Sequence, residues 1–323
     1  MPTEPAARSR RPRPRRQRWL RDARRWLQAS VARVLLAVLT RIPHRLLRAG
    51  LRLVVPPLGK LWLGRVCAAN LHKAFGDQLD AKARRAVIHA MFRNLADQVA
   101  DLAAFLRHGW AFLEGKVDDT TARAELGRFE REWPRGYIGL TGHIGNWEFM
   151  GAWLSRHSTH GMGAAVAKRM GNAKLNRLVQ DLRAKLGIET LYGDDPATRP
   201  AHILRAGRIL ALVPDQDVKN LAGVFVDWFG HQAYTPVGPA RLALAAGVPI
   251  HCGFFLRKGA GYEVVLGAPL WPDPDRDKAA EVARLTQAWT AQMEAVVRAH
   301  PEQWPWFHAR WKTTPEKLAQ RPT

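Results

Sequence analysis

The sequence predicts an α/β fold in which a mixed central sheet is flanked by helices. From residue 136 onward, short apolar runs of strand length alternate with longer segments of helical periodicity, a pattern typical of this class. The chain has 323 residues, of which 47% are hydrophobic, so it can bury a full core. We therefore expect one large α/β domain over residues 66–323, preceded by an N-terminal appendage.

The N-terminal appendage is strongly basic. Residues 1–65 contain 17 Lys and Arg residues but only two acids, Glu4 and Asp22, whereas the whole chain has a net charge of +22. Residues 1–18 (MPTEPAARSRRPRPRRQR) contain almost nothing apolar and are predicted to be a flexible basic arm. This asymmetry indicates an anionic partner, which composition alone leaves open as nucleic acid, an anionic membrane surface or an acidic protein.

Residues 19–65 are predicted to be an amphipathic, membrane-associating helical segment. An apolar helical stretch after Trp19 is broken by Arg33, and Pro43 opens a second segment. The two faces of that second segment separate Arg45, Arg48 and Arg52 from Leu46, Leu47, Leu51 and Val54. No window holds 18 uncharged apolar residues, which favours an anchor in the membrane plane over a spanning helix. The lack of a small-residue cleavage site argues against a secretory signal. The alternative to a membrane anchor is an ordinary amphipathic helix packed on the domain.

The elements of the α/β domain follow from the changing periodicity. Residues 66–106 indicate two helices. The strands are predicted at 137–141, 162–167, 189–192, 208–213, 224–228, 249–256 and 262–267, and the further helices at 146–157, 172–186, 198–206, 236–246 and 277–299. Neither GxGxxG after the first strand nor GxxxxGK[ST] occurs, so no dinucleotide or P-loop site is indicated. Cys67 and Cys252 stand alone in apolar contexts and are expected to be reduced, buried thiols.

A histidine and a glutamate in the stretch GYIGLTGHIGNWEFMG, residues 136–151, form the candidate site. His143 follows the first strand and a glycine-containing turn, and Glu148 stands five residues later at the start of a helix. The same spacing occurs at His72 and Asp77, but no strand or Gly-rich turn presents that pair, which we assign to the surface or to packing. Because chemistry in open α/β sheets collects at strand ends, the context favours His143.

A histidine held by a carboxylate can act as a general base, and Glu148 is expected to fix its tautomer. The sequence contains no GxSxG elbow and no plausible catalytic cysteine near it, so the substrate must bring its own hydroxyl. Acyl transfer to an alcohol fits this arrangement, and attack by water fits it less well. Asn146 can cap the following helix, whose first amides could hold an oxyanion or a phosphate. Taken alone, a histidine such as His143 is more often a hydrogen-bonded core residue, and only its surroundings favour the functional interpretation.

Four blocks in order carry a family resemblance that covers nearly the whole chain. They read TGHIGNWEFMG, AAVAKRMGNAKLNRLVQDLRAKLG, ILALVPDQD with GVFVDWFGHQAYTPVGPARLALAAGVPI, and PEQWPWFHARWK. The chain thereby resembles the LpxL/HtrB-like lipid A acyltransferases of the wider lysophospholipid acyltransferase superfamily.

This resemblance implies roles for individual residues. His143 matches the family's general base and Glu148 its acidic partner, while Asp215 and Gln216 match a strand-end pair that shapes the acceptor side. Arg169 matches an arginine for the acceptor's anionic part, although Lys168-Arg169-Met170 replaces the frequent Tyr-Arg-Pro. The later blocks contain Phe225, Trp228 (in place of an aromatic of an FFG motif), Phe229, Thr235, Gly238, Trp306, His308, Arg310 and Trp311. A Trp-rich terminal block is more often a packing anchor or membrane-interface element than a catalytic one.

The resemblance implies a membrane-associated O-acyltransferase at the cytoplasmic face of the inner membrane. Its donor would be a thioester of acyl carrier protein or CoA, and its acceptor a hydroxyl of a lipid or glycolipid such as a lipid A precursor. The basic surface suits these anionic partners, and an activated thioester requires no metal or redox cofactor. The alternatives are transfer to a lysophospholipid or other acceptor, and a non-enzymatic basic protein that binds membranes or nucleic acid. We expect no nucleic acid, because the basic arm lacks interleaved aromatic residues.

Overall fold

Seven strands form the central sheet of the protein, seen in a computed structural model that describes residues 15–193, 195–196, 198–218 and 221–320, with side chains from residue 22 onward. The strands are β1 (Val117–Asp118), β2 (Ile138–Leu140), β3 (Met162–Ala167), β4 (Thr190–Tyr192), β5 (Ile209–Leu212), β8 (Ile250–Lys258) and β9 (Gly261–Leu266). Their order across the sheet is β1-β9-β8-β2-β5-β3-β4. Only the β8–β9 pair is antiparallel. The predicted mixed sheet is thus confirmed.

The remaining two strands, β6 (Gly223–Trp228) and β7 (His231–Pro236), form a separate antiparallel hairpin. Its turn residues Phe229 and Gly230 both have positive φ, 58° and 75°, as a two-residue type I′ turn requires. Strand β7 was not predicted, because Phe-Gly is not one of the dipeptides that mark such turns. Trp228 and Phe229 are buried and belong to the domain core.

Helices cover both faces of the sheet. They are α4 (Thr120–Glu132), α5 (Trp147–His157), α6 (Ala173–Lys185), α7 (Thr198–Arg205), α8 (Gly238–Ala246), α9 (Lys278–Ala299) and α10 (Pro315–Ala319). Side chains of α4 and α5 share one core cluster, whereas α8 and α9 belong to the other. All predicted helices after residue 136 are confirmed to within two residues at each end. Helix α4 was not predicted, since its polar sequence buries only Ala122, Leu126, Phe129 and Glu130.

Three long helices precede the sheet: α1 (Arg15–Leu39), α2 (His44–Phe75) and α3 (Ala81–His108). Pro43 is the N-cap of α2, as its position predicts. Helix α2 continues through residue 65, where the sequence analysis placed the start of the α/β domain, and it contains Pro56 and Pro57. One face of α2 packs on the core. This packing stabilises the helix although the two prolines remove backbone hydrogen bonds from it.

The predicted basic arm, residues 1–18, is only partly within the described structure. Residues 1–14 lie outside the described residues, and residues 15–18 form the first turn of α1. None of the helices in the described part of the chain is long and apolar enough to cross a membrane. Both α1 and α2 nevertheless present large apolar side chains to solvent, among them Leu53, Leu61 and Trp62, each more than three-quarters exposed.

The two cysteines occupy buried positions. Cys67 and Cys252 are each 0% exposed and free of disulfide bonding, which confirms the expectation of reduced, buried thiols. The second motif-like pair, His72 and Asp77, lies on the surface at the end of α2, as predicted from its context. Neither pair of residues therefore competes with His143 as a reactive site.

Candidate active site

The loop between β2 and α5 presents His143 at the carboxyl edge of the sheet. Gly145 has a φ of 57°, and a Cβ at this position would collide with the carbonyl oxygen of Phe255. Only glycine fits such a close backbone approach. Asn146 then caps α5, because its side-chain oxygen accepts a hydrogen bond from the Phe149 amide at 3.1 Å. The turn and the cap were both predicted from the sequence.

Asp215, which follows β5, is the carboxylate that holds His143. The His143 ring Nδ1 lies 2.6 Å from Asp215 Oδ1, and the His143 backbone amide donates to Oδ2 at 2.9 Å. Trp304 also donates its indole N–H to Oδ2, at 3.1 Å. Because the carboxylate accepts a hydrogen bond from Nδ1, the imidazole proton lies on Nδ1, and Nε2 is left as the basic nitrogen.

Charge and burial tune this pair in opposite senses. Burial opposes ionisation of His143, but the facing carboxylate of Asp215 outweighs it and raises the pKa of the histidine above its usual value. Burial likewise disfavours the Asp215 anion, yet His143 and the hydrogen bonds from His143 and Trp304 lower the pKa of Asp215 to about 2. Asp215 is 1% exposed and the His143 side chain 24%. The pair is therefore a buried anion with a histidine that substrate can reach.

Glu148 has a different partner from the one expected. Its carboxylate accepts from Arg183 of α6, with Nη2 to Oε1 at 2.7 Å and Nε to Oε2 at 3.1 Å. Burial disfavours the Arg183 cation, but the hydrogen bonds and charge of Glu148 raise its pKa overall. The expectation that Glu148 orients the imidazole thus differs from the structure, in which Asp215 makes that contact. Both contacts join residues that are far apart in the sequence, because the loop turns His143 towards β5 and Glu148 towards α6.

The C-terminal segment after α9 forms one wall of the site. Trp304 and Trp306 are fully buried, in keeping with a packing anchor. His308 reaches further, since its Nε2 lies 3.1 Å from the Gln216 amide nitrogen and its ring centroid 5.4 Å from that of His143. Burial, with a contribution from the charge on His143, lowers the pKa of His308 to about 4, so this second imidazole is neutral at physiological pH.

The remaining predicted site residues are placed at different distances from this centre. Gln216 lies beside the pair, with its amide nitrogen 3.4 Å from both ring nitrogens of His143. Arg169 lies after β3, where it contacts Asp195 at 3.3 Å and stacks on Tyr192. The structure therefore brings His143, Asp215 and Gln216 together and leaves Arg169 in a separate ion pair.

An apolar cavity lies behind the Glu148–Arg183 ion pair, between the sheet and α5. Small residues of four strands line its floor, namely Gly139, Ala165, Ala211 and Gly253, while Met150 and Leu154 of α5 form its roof. Both members of the ion pair contribute to its lining. The free volume of the cavity is about 40 Å³, because Met150 packs closely against Gly253 and Leu154 lies over Gly139.

The chemistry of this arrangement is that of a base without an enzyme nucleophile. The described side chains that hydrogen bond to His143 are those of Asp215 and Gln216, and neither is a nucleophile of the serine or cysteine kind. Cys252 lies in the cavity wall, but burial raises the pKa of its thiol to about 12, which makes it inert as a thiolate nucleophile. The site can thus deprotonate a hydroxyl of a bound substrate.

Comparison with known proteins identifies the class of this site and fold. The profile of the family described as "Bacterial lipid A biosynthesis acyltransferase" matches residues 13–313. The chain belongs to the bacterial lipid A biosynthesis acyltransferase family, which confirms the resemblance seen in the sequence.

Curated relatives match over part of their length. A phosphatidylinositol mannoside acyltransferase of Mycobacterium tuberculosis (strain CDC 1551 / Oshkosh) is 33% identical over 176 residues, 52% of each chain. One from Mycolicibacterium smegmatis is 31% identical over 184 residues, 55% of this chain and 57% of its own. A lipid A biosynthesis lauroyltransferase of Escherichia coli is 33% identical over 122 residues, 36% of this chain and 38% of its own. The chain thus aligns with about half the length, or less, of these relatives.

Sequence reasoning missed Arg183, Trp304 and the orienting contact of Asp215. Arg183 stands 35 residues after Glu148, and Asp215 stands 72 residues after His143. No spacing rule joins residues so far apart. The signal available in the sequence was the position of Asp215 directly after a predicted strand, because the ends of parallel strands meet at one edge of the sheet.

Proposed function

We propose that this protein is a membrane-associated O-acyltransferase that moves a fatty acyl chain from a thioester to a hydroxyl of a glycolipid, with His143 as general base. The observation that carries the proposal is the contact between His143 Nδ1 and Asp215. It leaves Nε2 as the proton acceptor at a partly exposed position. Asp215 takes the orienting role that the sequence motif had suggested for Glu148.

The proposed step balances without any covalent intermediate on the enzyme. His143 Nε2 accepts the proton of the acceptor hydroxyl while that oxygen attacks the thioester carbonyl carbon, forming the new C–O bond. Collapse of the tetrahedral intermediate breaks the C–S bond, and the imidazolium returns the proton to the departing sulfur. Asp215 stabilises the imidazolium between these two transfers.

Oxyanion stabilisation is assigned to the N-terminus of α5. The amides of Gly145 and Asn146 already donate to the carbonyl oxygens of Gln303 and Phe255, so they are not available. The first-turn amides of Trp147 and Glu148 point out of the helix end, where N–H groups lack intrahelical acceptors. They lie next to His143, whose ring centroid is 5.0 Å from that of Trp147, and can donate to a developing oxyanion.

The apolar cavity beside the site is proposed to hold a short segment of the donor's acyl chain, in keeping with its free volume of about 40 Å³. Its lining by Gly139, Gly253 and neighbouring small residues gives an apolar surface next to the Glu148–Arg183 pair. Burial of a hydrocarbon chain there contributes about 0.8 kcal/mol for each methylene removed from water. The donor thioester is proposed to be that of acyl carrier protein or CoA, both of them anionic and suited to the basic surface.

A glycolipid acceptor is favoured because the names of all three relatives describe transfer to, or in the synthesis of, a glycolipid: a phosphatidylinositol mannoside in two cases and lipid A in the third. Arg169, Asn146 and Gln216 are proposed to line the acceptor side. Arg169 is exposed enough, at 45% of its side chain, to exchange its contact with Asp195 for an anionic group of the acceptor.

Association with the cytoplasmic face of the inner membrane is proposed from α1 and α2. Both helices combine exposed leucine, valine and tryptophan side chains with nearby arginines. Such a surface lies in the interface of an anionic bilayer, where apolar burial and charge attraction act together.

The test compares the lipids of cells that lack the gene and carry either the wild-type protein or His143→Ala. Mass spectrometry should show one acceptor lipid gaining the mass of an acyl chain only with the wild type, and that mass identifies acceptor and chain together. Acylation of a lysophospholipid instead of a glycolipid would replace the proposed acceptor class. Equal acylation by His143→Ala would overturn the mechanism.

A further inference from the structure

A second cavity lies outside the catalytic centre, between α2, α3 and the turn that joins β8 to β9. Its volume is about 290 Å³, and it is open to solvent. Its lining is polar and dominated by basic side chains, namely Arg52, His89, Arg93 and Arg257, together with Asn94, Asp97, Glu302 and Gln303. It is therefore unlike the apolar cavity beside α5.

The floor of this cavity is a buried ion network. Asp97, 1% exposed, accepts bidentate hydrogen bonds from Arg52 at 2.6 Å and from Arg48 at 3.0 and 3.3 Å. Asp101, 2% exposed, pairs with Arg257 and with His44. Both carboxylates are thus fully used by the surrounding cations, and they hold Arg52 and Arg257 in fixed positions at the cavity wall.

The cations of this region outnumber its acids. Arg48, Arg52 and Arg257 share only two carboxylates, Asp97 and Asp101, within the network. A partly buried excess of guanidinium groups is costly unless an anion offsets it. The structure therefore leaves positive charge at the cavity that its own carboxylates do not balance.

Arg93 adds to this excess from the opposite wall. It lies on the exposed side of α3, and no carboxylate among the described residues pairs with it. The one further acid in the lining is Glu302, so four arginines (Arg48, Arg52, Arg93 and Arg257) still face only three acids (Asp97, Asp101 and Glu302). The pKa of His89 also indicates a positive local potential. Burial and the charges of Lys60 and Arg93 lower this pKa below its usual value.

The cavity adjoins two surfaces that matter for the reaction. Gln303 lines it, and the Gln303 backbone oxygen accepts the amide of Gly145 in the catalytic loop at 3.1 Å. On the other side, Arg52 is followed on α2 by Leu53, which is 77% exposed in the proposed membrane-facing surface. A ligand in the cavity would lie between the catalytic loop and that surface.

We propose that this cavity binds a phosphate ester, held by the outer edges of Arg52 and Arg257 and by Arg93. Guanidinium groups bind phosphate oxygens by paired, charge-assisted hydrogen bonds, and three of them around one space match a tetrahedral anion. The phosphate of a CoA-type donor and that of a phospholipid headgroup share this chemistry. The link to acyl transfer rests on the proposed function, whereas phosphate-ester binding itself does not.

The test measures binding to the purified full-length protein in neutral detergent by isothermal titration calorimetry. The phosphate-bearing probes are coenzyme A and short-chain phosphatidylglycerol, and their matched probes without phosphate are pantetheine and short-chain diacylglycerol. Arg93→Ala removes one guanidinium without touching the ion network, and Ala90→Leu fills the cavity without changing its charge. Arg85→Ala removes an exposed arginine from the same helix outside the cavity and serves as the control.

At least one phosphate-bearing probe should bind more tightly than its matched probe. Its Kd should rise about tenfold or more in Arg93→Ala, which loses one charge-assisted hydrogen bond, and about tenfold or more in Ala90→Leu, which blocks the space. The Kd should rise less than about twofold in Arg85→Ala. Coenzyme A as the sensitive probe identifies the donor, and phosphatidylglycerol identifies a lipid. Equal effects of Arg93→Ala and Arg85→Ala, or no preference for either phosphate-bearing probe, would overturn the proposal. Binding retained by His143→Ala keeps this result separate from a failure of the proposed function.

Discussion

The two charged residues of the His-x4-Glu motif end in two different ion pairs. His143 contacts Asp215 through one ring nitrogen and keeps the other available. Glu148 is bound by Arg183 through both of its oxygens. The first pair contains an imidazole whose pKa is raised above its usual value by Asp215, whereas the second joins a carboxylate to a guanidinium group. The motif thus contributes the proposed base at one position and one member of an Arg–Glu ion pair at the other.

This difference shows that two residues only five positions apart in the sequence can have separate partners and separate roles in the structure. Gly145, which is required by the close approach of Phe255, turns the chain between the two residues. His143 then faces the edge of β5, and Glu148 faces α6 at the mouth of the apolar cavity. The experiments below separate the two pairs, from the largest expected effect to the smallest.

Replacing the base should give the largest loss. His143→Ala is expected to lower kcat for acyl transfer by about 10²- to 10⁴-fold, the usual range for removing a general base. The measurement is transfer of a labelled acyl group to lipid by the purified protein, with far-UV circular dichroism to check folding. His72→Ala changes the exposed histidine that has the same spacing to an acid, Asp77, and is the matched control. This variant should keep full activity, and a similar loss in both variants would argue against a special role for His143.

Removing the charge of the orienting residue should cost less. Asp215→Asn keeps the size of the side chain but favours the wrong tautomer and misplaces the imidazole, which is expected to lower kcat by about 100-fold. Substrate KM should change little, since Asp215 is buried behind the histidine. Steady-state kinetics distinguish these two parameters, and an unchanged kcat would remove Asp215 from the mechanism.

Breaking the Glu148–Arg183 ion pair should affect the stability of the protein more than its catalytic rate. Glu148→Gln leaves the Arg183 cation partly buried without its carboxylate and is expected to lower the free energy of unfolding by about 1–3 kcal/mol. The kcat should fall less than about tenfold. Urea denaturation and the same kinetic assay check this, with the exposed Glu114→Gln as control; a kcat loss larger than that of Asp215→Asn would reverse the assignment of the two pairs.

Loss of the helix cap between the pairs should have the smallest effect. Asn146→Ala removes the side-chain acceptor of the Phe149 amide and should lower the free energy of unfolding by about 1 kcal/mol. Urea denaturation followed by tryptophan fluorescence measures it. Stability equal to that of the wild type would mean that the cap contributes nothing to holding the loop.

The sequence predicted most of the sheet and the helices of the α/β domain because their apolar periodicity is regular. It missed α4, where a polar helix buries a narrow face, and β7, where Phe229-Gly230 replaces the usual turn residues. The site was predicted in part. His143, Asn146 and Gln216 lie where their positions at a strand end and a helix start suggest, and the likeness to known acyltransferases was correct.

The partners of the charged residues could not be predicted, since they come from distant parts of the chain. Asp215 reaches His143 because β2 and β5 are neighbours in the sheet, and α6 brings Arg183 to Glu148. The basic face of α2 was recognised, but the pairing of Arg48 and Arg52 with Asp97 depends on how α2 packs on α3. Sheet order and helix packing decide these contacts, and neither is written in local spacing.

The pH dependence of kcat/KM tests most directly which carboxylate serves His143. A general base must be unprotonated, and Asp215 raises the pKa of His143, so activity of the wild type should rise with pH through a pKa above about 6.5. Asp215→Asn should move this acid limb to lower pH, because the carboxylate that favours the imidazolium is gone, and Glu148→Gln should move it much less. A larger shift in Glu148→Gln than in Asp215→Asn would contradict the account.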